Sequence, residues 1–382
     1  MKKIAIISTH PIQYQVPLFK YLNKKNFNIN VFFASNHGVN AKKKDHEFLR
    51  KIKWDIDKDM LSGFNYKFSK NQKNNINDFK LNFKNLENEL FSGDYKFIII
   101  MGWNNLFYLS AIYFALKYKI KIILRVETNL LFKINPLKKI IKYFILKQLF
   151  KKISYFLSIG KLNKLFYLYH GVPIKKIFAA PYFVDNSFFK KKINFNKIKK
   201  ILKIENKKVV LFVGKLIERK NPLEFLKLAK MYKSNNKVKF LMIGDGILKK
   251  KCLDFIKEEN LLNTSIIGFV NQKNLVTYYQ ASDLLVMPSY YETWGLAINE
   301  AFASNTPVIC SSNCSAAKDL IIYGKTGFTY QIGELEDLFN KTQKILENKE
   351  VSKKMKLNIK KKIKHFSLEK TANSILKIIN EK

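Results

Sequence analysis

The sequence predicts an α/β protein made of two Rossmann-like domains with parallel sheets and a cleft between them. Three observations predict it. Short continuous runs of Ile, Val, Phe and Leu alternate with longer stretches of helical spacing, the pattern of strands buried on both faces by crossover helices. The pattern restarts at "KKVVLFVGKL" after the basic stretch "KKKINFNKIKKILKIENKK" (190–208), which sets a domain junction near residues 186–206. A chain of 382 residues is also too long for one ordinary core and fits two.

In chain order, the strands expected in the first domain are "KIAIIS" (3–8), "INVFFA" (29–34), "KFIIIM" (96–101) and "KIILRV" (121–126). The second is expected to contain "KVVLFVG" (208–214), "VKFLMIG" (238–244), "TSIIGFV" (264–270), "LLVMPS" (284–289) and "TPVICSS" (306–312). Residues 97–116 carry no charge and match a membrane span in length. Gly102, Asn104 and Asn105 split that run, so a buried strand followed by a helix is the expected structure.

The composition narrows the function. Hydrophobic residues make up 47% and aromatics 14%, which excludes a disordered chain, while 70 Lys plus Arg against 29 Asp plus Glu leave a net charge of +41. Such a field draws phosphates, nucleic acids or anionic lipid, although Lys-rich, Asn-rich and Ile-rich usage also follows from AT-rich codons. Three cysteines (Cys252, Cys310, Cys314) form no disulfide framework and suggest a reducing cytoplasm. The opening "MKKIAIISTHPIQY" has too short an apolar run for a signal peptide.

The chemistry concentrates in "PSYYETWGLAINEAFASNTPVI" (288–309), where Glu292 and Glu300 lie eight residues apart around Gly295. "LLVMPS" ends as a strand, "YYETWG" is the loop beyond it, and "LAINEAFA" begins a helix. Gly295 lets backbone amides approach a ligand at the helix N-terminus, where an anion is favoured. Two glutamates near a helix start otherwise serve capping and solvation. "FVGKLIERKNPLEFL" (212–226) adds Gly214, Lys215 and Lys220 at another strand end, a set suited to a diphosphate. "MIGDGILKKKCLDF" is a further strand ending in a glycine turn.

Taken in order, these motifs resemble the family 4 glycosyltransferases, whose GT-B fold has two facing Rossmann-like domains. The signature is Glu-x7-Glu in "ETWGLAINEA", followed by "PVI" and "GKTGF", over about residues 205–340. "STHPIQYQVPLFKYL", "IIIMGW", "LRVET" and "APYFVDNSFF" look like a bacterial surface-polysaccharide branch of the family. The resemblance implies an acceptor-binding domain over 1–190, joined by a returning C-terminal helix at about 365–382. A nucleotide-sugar-binding domain would cover 206–364.

By position, the resemblance implies that Lys215 and Lys220 hold the donor diphosphate, with Gly214 beside them. Relatives usually have Arg at the first position, so Lys215 lacks a bidentate clamp. Glu292 would bind donor-sugar hydroxyls, the amides of Trp294, Gly295 and Leu296 would lie near the phosphates, and Glu300 would accept the ribose hydroxyls. Phe269 and Val270 would lie against the base, expected to be uracil. The Gly-Gly often found after "PVI" is Cys314-Ser315 here, which puts close backbone approach in doubt. The implied reaction retains anomeric configuration and requires no cofactor or metal.

In the first domain His10 follows the first strand and is a candidate for acceptor or donor sugar, or else a structural histidine. Arg125 and Glu127 end another strand and either contact the donor or pair with each other. Gln13, Trp103 and Asn104 are further acceptor candidates. Asp55-Ile-Asp57 matches the Asp-x-Asp of a metal-dependent glycosyltransferase fold, but a cleft-edge loop is expected. Between Glu127 and Asp185 the chain has eleven lysines and no acid. "PLKKIIKYFILKQLFKKI" (136–153) is roughly amphipathic in its first half and loses a clean face after Lys147. Such a helix either lies on an anionic membrane or is a core helix with a basic rim.

The implied partners are a nucleotide-sugar donor and a glycan or lipid-linked saccharide acceptor, for a cytoplasmic enzyme peripheral to the membrane. Two rivals remain: a nucleotide-sugar epimerase on the same scaffold, and a basic nucleic-acid binder. The latter lacks zinc spacing or an RNA-binding aromatic signature, and no Gly-x-Gly-x-x-Gly follows the first strand to suggest a dehydrogenase.

Overall fold

A computed structural model of the protein describes residues 2–25, 27–39, 44–45, 50–51, 58–70, 78–131, 135–191, 193, 196–202 and 204–381. Asp55 and Asp57 lie outside the described residues. The chain forms two compact units: Met1–Lys43, Lys51–Tyr182 and Leu368–Lys382 make the first, and Phe183–Ser367 with Lys44–Arg50 the second.

The first unit holds a sheet of β1 (Lys3–Ser8), β2 (Asn28–Phe33), β5 (Asn65–Phe68), β6 (Phe97–Ile100), β7 (Lys121–Arg125), β8 (Tyr155–Ser158) and β9 (Ile177–Ala179). A separate two-residue ladder joins β3 (Lys44–Asp45) to β4 (Arg50–Lys51). The large sheet runs β5-β2-β1-β6-β7-β8-β9, and every pairing is parallel. Central strands β1 and β6 are apolar because helices cover both faces. Ile98, Ile100, Ile122 and Leu124 pack with Phe107, Phe150 and Phe156 in one core.

The charge-free run at 97–116 splits as its sequence implies. After β6 the chain turns, and helix Leu106–Lys117 begins where the Asn105 side chain accepts the Tyr108 N–H at 3.0 Å. Among the described residues no helix is long and apolar enough to cross a membrane. The last helix, Leu368–Glu381, packs in this unit: Thr371 Oγ1 donates to Pro181 O at 2.6 Å, and Lys2 Nζ to Ile379 O at 2.5 Å.

The second unit's sheet comprises β10 (Lys208–Val213), β11 (Val238–Ile243), β12 (Thr264–Gly268), β13 (Leu284–Met287), β14 (Val308–Ser311) and β15 (Gly327–Tyr330). Its order is β12-β11-β10-β13-β14-β15, again parallel throughout. Helix Asn186–Lys190 belongs to this unit, since Asn186 Nδ2 donates to Phe366 O at 3.1 Å and Gln280 Nε2 to Phe189 O at 2.9 Å. The division therefore falls ahead of the basic stretch, at Tyr182–Phe183.

Both sheets place the third strand beside the second, then the first, then the fourth. That is the Rossmann order, and ligands bind where it reverses, at the carboxyl ends of the first and fourth strands. In the first unit those strands are β1 and β6. In the second they are β10 and β13.

Candidate functional site

The loop after β10 is fixed by two glycines in the loop after β11. A Cβ on Gly244 would lie 1.8 Å from the Gly214 carbonyl oxygen, and one on Gly246 2.5 Å from that of Leu216. Only glycine permits this approach. The two loops then bond directly: Leu216 N–H donates to Asp245 O at 2.9 Å, and Leu248 N–H to Leu216 O at 2.9 Å. Lys215 sits on this braced turn, half-buried.

A short 3-10 turn, Glu218–Lys220, follows and presents two cations to the loop after β13. Arg219 Nη1 donates to Glu292 Oε2 at 2.9 Å, Lys220 Nζ donates to Glu292 Oε1, and Ser289 Oγ donates to Oε1 at 2.8 Å. The Glu292 side chain is only 6% exposed. Burial alone would push its carboxyl pKa up. The charges of Lys220 and Arg219 and the hydrogen bonds from Lys220 and Ser289 outweigh burial, so the net shift is below the usual 4.5.

Arg219 was not among the expected site residues. Its signal was adjacency: a second cation beside Lys220 in "ERKN". It is further held by its carbonyl, which accepts the Tyr290 N–H at 2.9 Å, and by its guanidinium carbon 5.7 Å from the Tyr291 ring centre.

The Glu292 backbone is pinned from the other side. Its N–H donates to Asn313 O at 3.2 Å and its carbonyl accepts from Ser315 N–H at 3.3 Å, forming an isolated parallel bridge with Cys314. Cys314 and Ser315 thus brace this loop through their backbone. Gly295 adopts φ 105°, and a Cβ there would stand 2.9 Å from Met287 Cε. It caps helix Leu296–Ala303 with no side-chain hydrogen bond to the helix start, which leaves first-turn amides to an anion.

The Trp294 side chain is buried, with Nε1 donating to Asn299 Oδ1 at 2.7 Å. Only its backbone is therefore at the helix start. Glu300 is buried too, and its Oε2 accepts the Tyr279 hydroxyl at 2.7 Å. Tyr279 was missed because its place in "VTYYQA" reads as an ordinary core aromatic. Phe269 and Val270 are half-buried beyond Gly268, where β12 ends with φ 87°. Glu224, also buried and unanticipated, accepts Tyr330 Oη at 2.9 Å and Asn221 Nδ2 at 2.6 Å. It braces the helix that starts after Lys220.

The first unit gathers a different set at its own reversal point. His10 lies edge-on to His37, ring centres 5.6 Å apart, and its Nδ1 is 3.0 Å from Thr9 Oγ1. Burial, with a smaller contribution from the His37 charge, lowers the His10 pKa to about 3, so this imidazole is neutral at pH 7. Trp103 Nε1 donates to Thr128 Oγ1 at 3.3 Å, while the Asn104 side chain is exposed.

Arg125 and Glu127 do not form the direct pair that their spacing allowed. Tyr182 stands with both: the guanidinium carbon lies 4.8 Å from its ring centre, and its hydroxyl donates to Glu127 Oε1 at 2.6 Å. Arg125 is 3% exposed, and its Nε has no hydrogen-bond partner among the described residues, nor does Gln13 Oε1. These are buried polar atoms of the kind a ligand satisfies. Among the described residues, no group of three or more His, Cys, Asp or Glu comes together as a metal site.

Residues 194–362 match the family profile described as glycosyl transferases group 1. The 2-deoxystreptamine N-acetyl-D-glucosaminyltransferase of Niallia circulans is 29% identical over 103 residues, 27% of this chain and 26% of that protein. The match thus spans about a quarter of that relative's own length. Among solved structures, Anabaena Alr3699/HepE in complex with UDP and glucose superposes with a TM-score of 0.74 at 15% identity, over 100% of both chains. The lipopolysaccharide outer core galactosyltransferase WaaB, apo form, gives 0.67 at 16% identity over 98% of this chain and 99% of that one. The fold is the GT-B fold of these glycosyltransferases.

Proposed function

We propose that the protein is a retaining glycosyltransferase that moves a sugar from a UDP-sugar to a glycan or lipid-linked saccharide. One observation carries this reading: the Lys220–Glu292–Arg219 cluster sits at the reversal point of the second sheet, beside a helix N-terminus that no side chain caps. A diphosphate placed there meets Lys215, Lys220, Arg219 and the amides from Trp294 to Leu296. Their positive charge stabilises the departing UDP, the largest demand of the reaction. Glu292, ionised and held by both cations, is oriented to accept hydroxyls of the donor sugar. Glu300, held by the Tyr279 hydroxyl, is the carboxylate for the ribose hydroxyls.

As the bond to the diphosphate breaks, the sugar gains oxocarbenium character. The acceptor hydroxyl attacks from the face that the phosphate leaves, and the phosphate takes its proton. No metal has a place in this scheme. His10, Gln13, Trp103, Arg125 and Glu127 offer neutral imidazole, amide, indole, guanidinium and carboxylate groups for a polyol acceptor or the donor sugar. UDP and glucose in the Anabaena structure and the lipopolysaccharide role named for WaaB support this donor and a surface-polysaccharide product. A cytoplasmic enzyme working at the membrane face fits a lipid-linked acceptor.

Incubation with radiolabelled UDP-sugars and saccharide acceptors tests the proposal. Label should enter the acceptor with release of UDP, and Glu292→Gln should slow transfer by about a hundredfold or more. Conversion of the sugar nucleotide without an acceptor would instead identify an epimerase.

A further inference from the structure

Helix Pro136–Lys151 is apolar on two opposite faces. Leu146 and Phe150 are buried in the first unit's core, with Leu149 packed against it. On the other side Leu137, Ile140, Ile141, Phe144 and Ile145 recur at three- and four-residue spacing and remain 52% to 66% exposed. This spacing makes one continuous stripe. An exposed stripe of this kind marks an interaction surface. Apolar exposure continues onto helix Lys161–Tyr169, where Leu165 is 50% and Tyr169 43% exposed.

Charge decides what covers it. The segment from Glu127 to Asp185 contains eleven lysines and no acid between those two residues, so an acidic surface is favoured. The same helix also lines a pocket of about 320 Å³ with Lys139, Lys142, Tyr169 and His170. Lys142 Nζ is 5.1 Å from the Trp103 ring centre and Lys139 Nζ 6.0 Å from that of Tyr169. Neither ammonium forms an ion pair with a described residue. Burial lowers the Lys142 pKa from its usual value, the electrostatic cost that a bound anion would offset. An aliphatic stripe flanked by lysines, with two further cations in a pocket behind it, matches acyl chains beside phosphate headgroups rather than the mixed polar rim of a protein interface.

We infer that helix Pro136–Lys151 lies in the interfacial layer of an anionic bilayer, with its outward stripe in the acyl region and one lipid phosphate held by Lys139 and Lys142. This rests on the membrane-face reading above and is independent of sugar transfer.

Cosedimentation tests it, using vesicles of phosphatidylcholine alone and of equal parts phosphatidylcholine and phosphatidylglycerol. The protein should pellet with the anionic vesicles only, and added salt should weaken binding. Lys139→Ala with Lys142→Ala should weaken it about fivefold per lysine. Ile141→Ser with Phe144→Ser should weaken it about tenfold or more, without moving the melting temperature, because both side chains are already exposed. Equal pelleting on neutral vesicles, no pelleting, or stripe variants that bind like the wild type would overturn the inference. So would a vesicle-free dimer, seen by analytical ultracentrifugation, that the stripe variants dissolve. Transfer to a soluble acceptor, measured in parallel, separates failure of this surface from failure of the proposed reaction.

Discussion

Between β10 and β13, a buried carboxylate is met by an ammonium, a guanidinium and a hydroxyl, all within one cluster around Glu292. In the first unit, under the same strand order, the residues beyond the strand ends instead include two imidazoles, side-chain amides and tyrosines, with Arg125 and Glu127 held apart on Tyr182. One backbone topology thus presents two different sets of side chains, because the loops beyond the strands differ in sequence. Dense, paired charge suits a diphosphate. Dispersed hydrogen-bonding groups suit a sugar.

The comparison breaks most easily at the glycine turns. Gly244→Ala should destabilise the second unit by about 4 kcal/mol or more, because the new methyl would stand on the Gly214 carbonyl. Thermal melting followed by near-ultraviolet dichroism reads this directly, and an unchanged melt would mean that the turns are not locked together. Lys220→Ala comes next. It leaves Glu292 buried with one cation, and stability should fall by about 3 kcal/mol. Arg219→Ala should cost about 1 kcal/mol, since the Arg219 side chain is 30% exposed against 17% for Lys220. Urea denaturation of the two variants checks the order, and equal losses would contradict it.

In the first unit, Arg125→Ala removes a buried guanidinium from the Tyr182 face and should cost about 2 kcal/mol, while UDP affinity stays as it was. A matching loss of UDP affinity would place Arg125 with the diphosphate. A further effect is expected in acid. His10 is depressed from 6.5 to about 3, so its contribution to stability is present above pH 6.5 and is lost as pH falls toward 3. Glu292 is depressed from 4.5, so its contribution is present above pH 4.5 and is lost only below that. A pH series of melting temperatures should show a decline beginning below pH 6.5. His10→Phe should delay it, whereas Glu292→Gln should not.

Much of this was legible in the residues. All nine expected strands form, because continuous apolar runs bounded by turn residues have few other ways to be buried. The strands not anticipated are those lacking such runs. β3 and β4 have two residues each, β5 is polar and largely exposed, β9 has three residues, and β8 and β15 mix tyrosine with serine, threonine or glycine. In the site, Glu292 and Lys220 were readable from spacing. Arg219 and Tyr279 were not, because Arg219 reads as one more charge beside Lys220 in "ERKN" and Tyr279 as a core aromatic in "VTYYQA", and only the fold brings them to Glu292 and Glu300. Helix Pro136–Lys151 looked faceless beyond Lys147 because it has two opposed apolar faces, which blur into one another along the sequence.

Calorimetric titration with UDP most directly tests the view that the second unit's charge cluster is a diphosphate site. UDP should bind the wild type in a salt-sensitive manner, and Lys220→Ala should weaken it about tenfold or more. Glu292→Gln should retain UDP but lose transfer. UDP affinity untouched by Lys220→Ala would contradict the assignment.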